Sequence, residues 1–228
     1  VYESHSYGVN SEGFLDYNSV LQQAMVINPK MIVAGASAYP RKIDWKAFRA
    51  IADSVGAFLL VDMAHYSGLI AGGMYDSPIS YADVVTSTTH KTLRGPRGGI
   101  ILWNDPDYTR RINSAVFPGT QGGPLMNQIA AKAQCFIEAD TLEFRDYASQ
   151  VVKTAQAMCN VFQDEGFSCL TGGTDSNIIL LDLSDKKHTG REAANLLEEY
   201  GITVNKNGIP NDPRSFVETS GVRIAVSY

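Results

Sequence analysis

The sequence holds 228 residues, enough for one large domain or for one domain and part of another. Its 19 basic against 24 acidic side chains leave a net charge of −5, which argues against nucleic acid or an anionic membrane as the main partner, since both need a concentrated positive face. Hydrophobic residues at 44% and charged ones at 19% describe a globular chain, and no apolar run approaches the ~20 residues of a membrane span. The opening Val1-Tyr2-Glu3-Ser4-His5 has no signal-peptide pattern and no initiator Met, so the chain is expected to be a piece of a longer one.

Met31–Ala36 reads as a buried strand. Asp44 can cap a helix whose apolar positions Trp45, Phe48, Ile51, Ala52 and Val55 recur at helical spacing until Gly56. Further strands are expected at Ala57–Asp62, Ala82–Ser87 and Gly99–Trp103. Continuous apolar runs suit strands covered on both faces, as in a parallel sheet, and strand-helix-strand succession points to α/β architecture. From Pro124 to about Gly166 the pattern is helical, with a break near Asp140 to Glu143. A smaller α+β pattern follows: strand Ile178–Leu183, helix Arg191–Tyr200 after Thr189-Gly190, then strands near Ile202–Val204 and Val222–Val226. The expected division is 1–150 and 151–228. Cys135, Cys159 and Cys169 show no CxxC spacing, which favours buried reduced thiols and a cytosol-like compartment over a disulfide framework.

The densest polar cluster sits at two strand ends, Asp62-Met63-Ala64-His65 and Thr88-Thr89-His90-Lys91. Ligands in open α/β sheets bind beyond the carboxyl ends of the strands. If the two strands are parallel neighbours, Asp62, His65, His90 and Lys91 converge on one crevice, where a desolvated Lys amine can act as a nucleophile. Taken singly, a strand-end Asp is more often a turn or cap residue, and a lone His a satisfied polar group. A metal site on Asp62, His65 and His90 lacks HxxxH-type spacing. The turns Arg94–Gly99 and Pro118–Pro124 are glycine-rich, the second ahead of a long helix where backbone N–H groups can hold phosphate. Neither fits GxxxxGK[ST] or GxGxxG, and a tight turn is the plainer reading. Arg223 opens an apolar strand, where it can grip a carboxylate or snorkel from an edge.

Five strings taken together resemble the serine hydroxymethyltransferase family: Val61–His65, Thr88–Gly99, Val116–Pro124, Thr203–Asn207 and Thr219–Arg223. The resemblance runs in order over nearly the whole chain. It implies a fold-type I pyridoxal-phosphate enzyme, aspartate aminotransferase-like. Its large domain would hold a mainly parallel sheet, with part of a smaller α+β C-terminal domain after it. The implied reaction interconverts serine and glycine, passing the one-carbon unit to tetrahydrofolate. Lys91 would form the Schiff base with pyridoxal phosphate, and Asp62 would pair with the pyridine nitrogen. His65 would hydrogen-bond the ring hydroxyl or the region of the Lys91 linkage, with Ser37 close by. Thr88 would help position the Lys91 linkage, and His90, near Arg97, would reach the cofactor phosphate. Arg223 would hold the substrate carboxylate. Gly122 and Gly123 would donate N–H groups to the phosphate of a neighbouring subunit, implying a homodimer or dimer of dimers. Asn207 and Ser215, Phe216 and Val217 would face folate, although the Pro usual before this Phe is absent. After Arg223 the family's Gly-Thr is replaced by Ile224-Ala225. No metal is implied, and the expected location is cytoplasmic, with a mitochondrial pool compatible.

The chain resembles only the middle and part of the C-terminal portion of a family member, so it is expected to be weak or inactive alone. A folate-independent pyridoxal-phosphate aldolase of β-hydroxy amino acids is the alternative within the fold. A non-catalytic dimerisation module is the alternative outside it.

Overall fold

The computed structural model describes residues 2–227. Two compact units emerge. One comprises Ala24–Ala36 and Ile43–Ser149; the other comprises the residues up to Gln23, Ser37–Lys42 and the residues from Gln150 on. A helix α1 (Tyr17–Ile27) precedes the first strand.

The first unit is built on β1 (Met31–Gly35), β2 (Phe58–Asp62), β3 (Val84–Thr88) and β4 (Gly99–Trp103), hydrogen-bonded in that order. β1, β2 and β3 run parallel, with Gly35 opposite Asp62 and Asp62 opposite Thr86. Helix α2 (Trp45–Val55) makes the crossover between β1 and β2. Its start is fixed by Asp44, whose carboxylate accepts the Ala47 N–H, and its Trp45, Phe48, Ile51 and Ala52 are buried. Each large apolar side chain so buried contributes about 2 kcal/mol. The opposite face is barer than the apolar runs suggest: Met31 is 48% and Val33 55% exposed. β4 departs from the parallel pattern and pairs antiparallel with β3. Only Thr89–Gly98 joins these two strands, shorter than the dozen or so residues a parallel crossover needs.

β3 begins at Val84 rather than Ala82. Asp83 is spent on another task, accepting the Leu59 N–H at 2.6 Å and pairing with Arg49 at 2.9 Å. Arg49 also meets Asp53 at 2.8 Å. These bonds fix the register of β3 against β2 and α2. A short α3 (Ser67–Ala71) follows β2, α4 (Thr109–Ser114) follows β4, and α5 (Met126–Ala139) is separated from α6 (Leu142–Asp164) at Asp140 and Thr141. The break expected near Asp140 to Glu143 is present there. Thr141 Oγ1 accepts the Phe144 N–H at the start of α6. The long helix begins at Met126 rather than Pro124.

The second unit holds an antiparallel sheet in the order β5-β6-β8-β7, from β5 (Ser168–Cys169), β6 (Ile178–Asp182), β7 (Asn205–Asn207) and β8 (Gly221–Ala225). Ala155, Cys159, Cys169, Ile179, Leu181 and Val226 form its core. All three cysteines are free and buried, and burial next to Cys159 pushes the Cys169 thiol up to about 12. Helix α7 (Gly190–Glu199) starts at a Thr189–Glu192 capping box. β7 lies three residues later than the apolar run Ile202–Val204. Gly201, with φ +78, turns the chain out of α7, and the Ile202 N–H still closes that helix on Leu197 O. The polar Asn205–Asn207 then makes the edge strand.

The sequence division at 150/151 places the segment ahead of Ala24 and residues 37–42 with the first part. Among the described residues, 2–23 and 37–42 cluster with 150–227. Arg41 pairs with Asp175 at 2.9 Å, and Pro40 O accepts from Thr174 Oγ1 and Ser176 Oγ. No helix among the described residues is long and apolar enough to cross a membrane.

Candidate active site

Parallel pairing of β2 with β3 puts Asp62, at the last position of β2, beside Thr86. His65 and Lys91 lie in the turns that leave the carboxyl ends of these strands. Gly35 ends β1 at the same level. A Cβ there would stand 2.3 Å from Asp62 O, and its φ is +131, so only glycine allows β1 to approach β2 so closely. The Asp62 carboxylate accepts the Ala64 N–H at 2.9 Å through one oxygen; the other has no partner among the described residues. The Lys91 amine donates to Thr88 Oγ1 at 3.0 Å and has no ion-pair partner among the described residues. A half-buried amine next to a hydroxyl, with a carboxylate on the adjacent strand, is a donor set suited to bonding a carbonyl group and pairing with a heterocyclic nitrogen.

Residues outside the expected set hold these two turns together. Thr92, buried, donates from Oγ1 to His65 O at 3.0 Å and accepts the Gly68 N–H at 3.0 Å. Its own carbonyl accepts the Tyr147 hydroxyl at 3.1 Å, a phenol that burial pushes up while Arg94 opposes the shift. The Arg94 guanidinium lies 4.4 Å from the Tyr147 ring centre. Cys135 Sγ donates to Leu93 O at 3.3 Å. Thr92 and Arg94 sit inside a motif string; Tyr147 and Cys135 are apolar positions on helices that periodicity reads only as core.

His90 and Arg97 come together across the Lys91 loop. Arg97 Nη1 lies 3.4 Å from His90 Nε2, and the Gly98 N–H donates to His90 Nδ1 at 3.3 Å. A neutral imidazole accepts at only one nitrogen, so the ring satisfies one of these donors at a time. Gly122 and Gly123 are exposed, precede the helix, and would meet nothing within 4 Å on gaining a Cβ. Neither packing nor positive φ within this chain asks for glycine at either position.

The remaining expected residues belong to the antiparallel-sheet unit. Arg223 Nη1 donates to Ser37 O at 2.7 Å and Nη2 to Asn205 Oδ1 at 2.8 Å. Asn207 donates from Nδ2 to Gly208 O at 2.7 Å. Ser215, Phe216 and Val217 lie on a loop, with Phe216 91% exposed. Asp212 anchors that loop, accepting from Ile209 N, Arg214 N, Ser220 N and Ser220 Oγ. Part burial works against its charge, but these hydrogen bonds, Ser220's first, hold its carboxyl below the ordinary Asp value.

Comparison with known proteins identifies the family of the whole chain. The family model described as serine hydroxymethyltransferase matches residues 1–227. A serine hydroxymethyltransferase of Psychrobacter sp. (strain PRwf-1) is 54% identical over 224 residues, 98% of this chain and 54% of the relative. That of Psychrobacter cryohalolentis is 56% identical with the same coverage. That of Legionella pneumophila (strain Lens) is 54% identical over 226 residues. The chain thus spans about half the length of the curated relatives it matches.

Proposed function

The chain belongs to the serine hydroxymethyltransferase family, and from that premise we propose that its parent protein interconverts serine and glycine with pyridoxal phosphate, using tetrahydrofolate as one-carbon acceptor. The observation that carries this reading is the Lys91 amine on Thr88 at the end of β3, beside the parallel strand that ends in Asp62. The donor set fits the cofactor: among the described residues the amine has no counter-ion and can meet its carbonyl carbon, and the carboxylate keeps one oxygen uncommitted for its ring nitrogen. Pyridoxal phosphate, when bound, supplies a ring that withdraws the electron pair left as a bond at substrate Cα breaks.

The chain's own residues then divide the work. Asp62 holds a proton at the ring nitrogen. Thr88 orients the Lys91 amine, which would hold the cofactor's carbonyl carbon. His65 and Ser37 bond the cofactor's polar edge, and His90 and Arg97 contribute donors toward phosphate. Arg223 takes the substrate carboxylate by charge and hydrogen bond. Asn207 with Ser215, Phe216 and Val217 forms the folate-facing stretch.

We assign the parallel-sheet part to the cofactor-binding large domain and the antiparallel part to the start of the smaller one. The working form is a homodimer or dimer of dimers. Support comes from Gly122 and Gly123, exposed glycines with open space where a Cβ would stand, and from the exposed apolar stripe Met126, Ile129, Phe136 and Ile137 on α5. The unpaired buried thiols support a reducing, cytoplasmic setting.

The test is borohydride trapping. The chain incubated with pyridoxal phosphate should gain the mass of one reduced cofactor on Lys91, and Lys91→Ala should gain none. Incorporation at other lysines to the same extent in both proteins would overturn the assignment of Lys91. Serine cleavage by the full-length protein should depend on tetrahydrofolate; folate-independent cleavage would point to an aldolase instead.

A further inference from the structure

We propose that Asn205 is a positioning residue for Arg223, holding its guanidinium in the plane that receives a substrate carboxylate without neutralising its charge. The inference rests on the reading of Arg223 as the carboxylate-binding residue.

Asn205 and Arg223 stand directly opposite each other in the antiparallel pairing of β7 with β8, so their side chains leave the same face of the sheet side by side. Arg223 Nη2 donates to Asn205 Oδ1 at 2.8 Å, and Nη1 donates to the carbonyl of Ser37 at 2.7 Å. Two anchors on two different nitrogens fix both the position and the rotation of a planar group that otherwise swings on a long flexible stem. The third nitrogen, Nε, is out of solvent and has no acceptor among the described residues. A buried donor without a partner is costly, so the guanidinium gains its hold from the two terminal nitrogens alone.

The kind of acceptor matters as much as its place. An amide oxygen and a main-chain carbonyl hold the guanidinium, and no carboxylate forms an ion pair with it among the described residues. The positive charge is therefore held in place and left available for an anion. An Asp at 205 would have the same shape and offer the same oxygen, but it would bring a permanent counter-ion. It would then compete with an incoming carboxylate for the same charge. On this view the Asn-Lys-Asn string contributes to carboxylate recognition through its first residue.

The experiment compares the 228-residue chain with Asn205→Ala, Asn205→Asp and Arg223→Ala. Serine and serinamide, which lacks the carboxylate, serve as probes in titration calorimetry with pyridoxal phosphate present. The ¹H–¹⁵N NOE of the Arg223 Nε–H is read in the free protein. Asn205→Ala should weaken serine about tenfold relative to serinamide and lower the NOE as the guanidinium is released. Asn205→Asp, isosteric with the wild type, should keep the NOE high yet weaken serine at least as much, again sparing serinamide.

Two results overturn the proposal. One is an unchanged NOE in Asn205→Ala, a readout that needs no ligand. The other is a serine-to-serinamide ratio equal to wild type in both Asn205 variants while Arg223→Ala loses serine. If Arg223→Ala binds serine normally, the carboxylate role of Arg223 fails instead, and the NOE alone decides whether Asn205 anchors it.

Discussion

At the residue scale, the Lys91 turn depends on atoms that carry no reactivity. Gly68 passes so close to the Thr92 carbonyl that a Cβ would sit 2.1 Å from its oxygen, while its N–H bonds Thr92 Oγ1. Gly68→Ala should push Thr92, and with it Lys91, away from the end of β2. We expect a loss of about 2–4 kcal/mol in unfolding free energy and reduced trapping of pyridoxal phosphate on Lys91; wild-type denaturation and trapping would show that the two turns move independently.

Asp212 makes a second prediction at this scale. Its folded pKa lies below the unfolded value, so its contribution is present above about pH 4 and is lost as pH falls through the folded value. Asp212→Asn should therefore cost on the order of 0.5–1 kcal/mol at pH 7, solvent screening keeping the effect small, and the gap to wild type should close at pH values below the carboxyl range. Urea midpoints measured at both pH values check this, and a gap independent of pH would assign the effect to shape alone.

At the element scale, caps and short links decide where the pieces begin and which way they run. The α2 start at Asp44 is readable from sequence because capping chemistry is local, and the carboxylate does accept the Ala47 N–H. Asp44→Ala should lower stability by about 1 kcal/mol in chemical denaturation, with the larger effect on the parallel-sheet unit. The direction of β4 and the register of β7 are less legible. β4 has the apolar run of a parallel strand, and its reversal follows from the shortness of Thr89–Gly98. β7 is polar because it is an edge strand of three residues, so a search for apolar runs lands instead on the residues that close α7.

At the scale of the whole molecule, α5 leaves Met126, Ile129, Phe136 and Ile137 exposed at helical spacing, a stripe of the kind a helix buries against a partner. The proposed dimer predicts that Ile129→Glu shifts the chain toward monomer by at least tenfold in dissociation constant, read by sedimentation equilibrium. A wild-type chain that stays monomeric at high micromolar concentration would remove the stripe as support.

Consecutive residues were enough to establish the α/β class, the strand ends bearing Asp62 and Lys91, and the family, because strand runs, caps and motif strings are local in the chain. What surrounds those residues emerged only on folding. Tyr147 bonds Thr92 from 55 residues away, Ser37 and Asn205 meet Arg223 across 186 and 18 residues, and Arg41 ties an early segment to Asp175. Such contacts depend on how strands pair and helices pack, and a one-dimensional pattern carries no record of which distant residues that packing brings together.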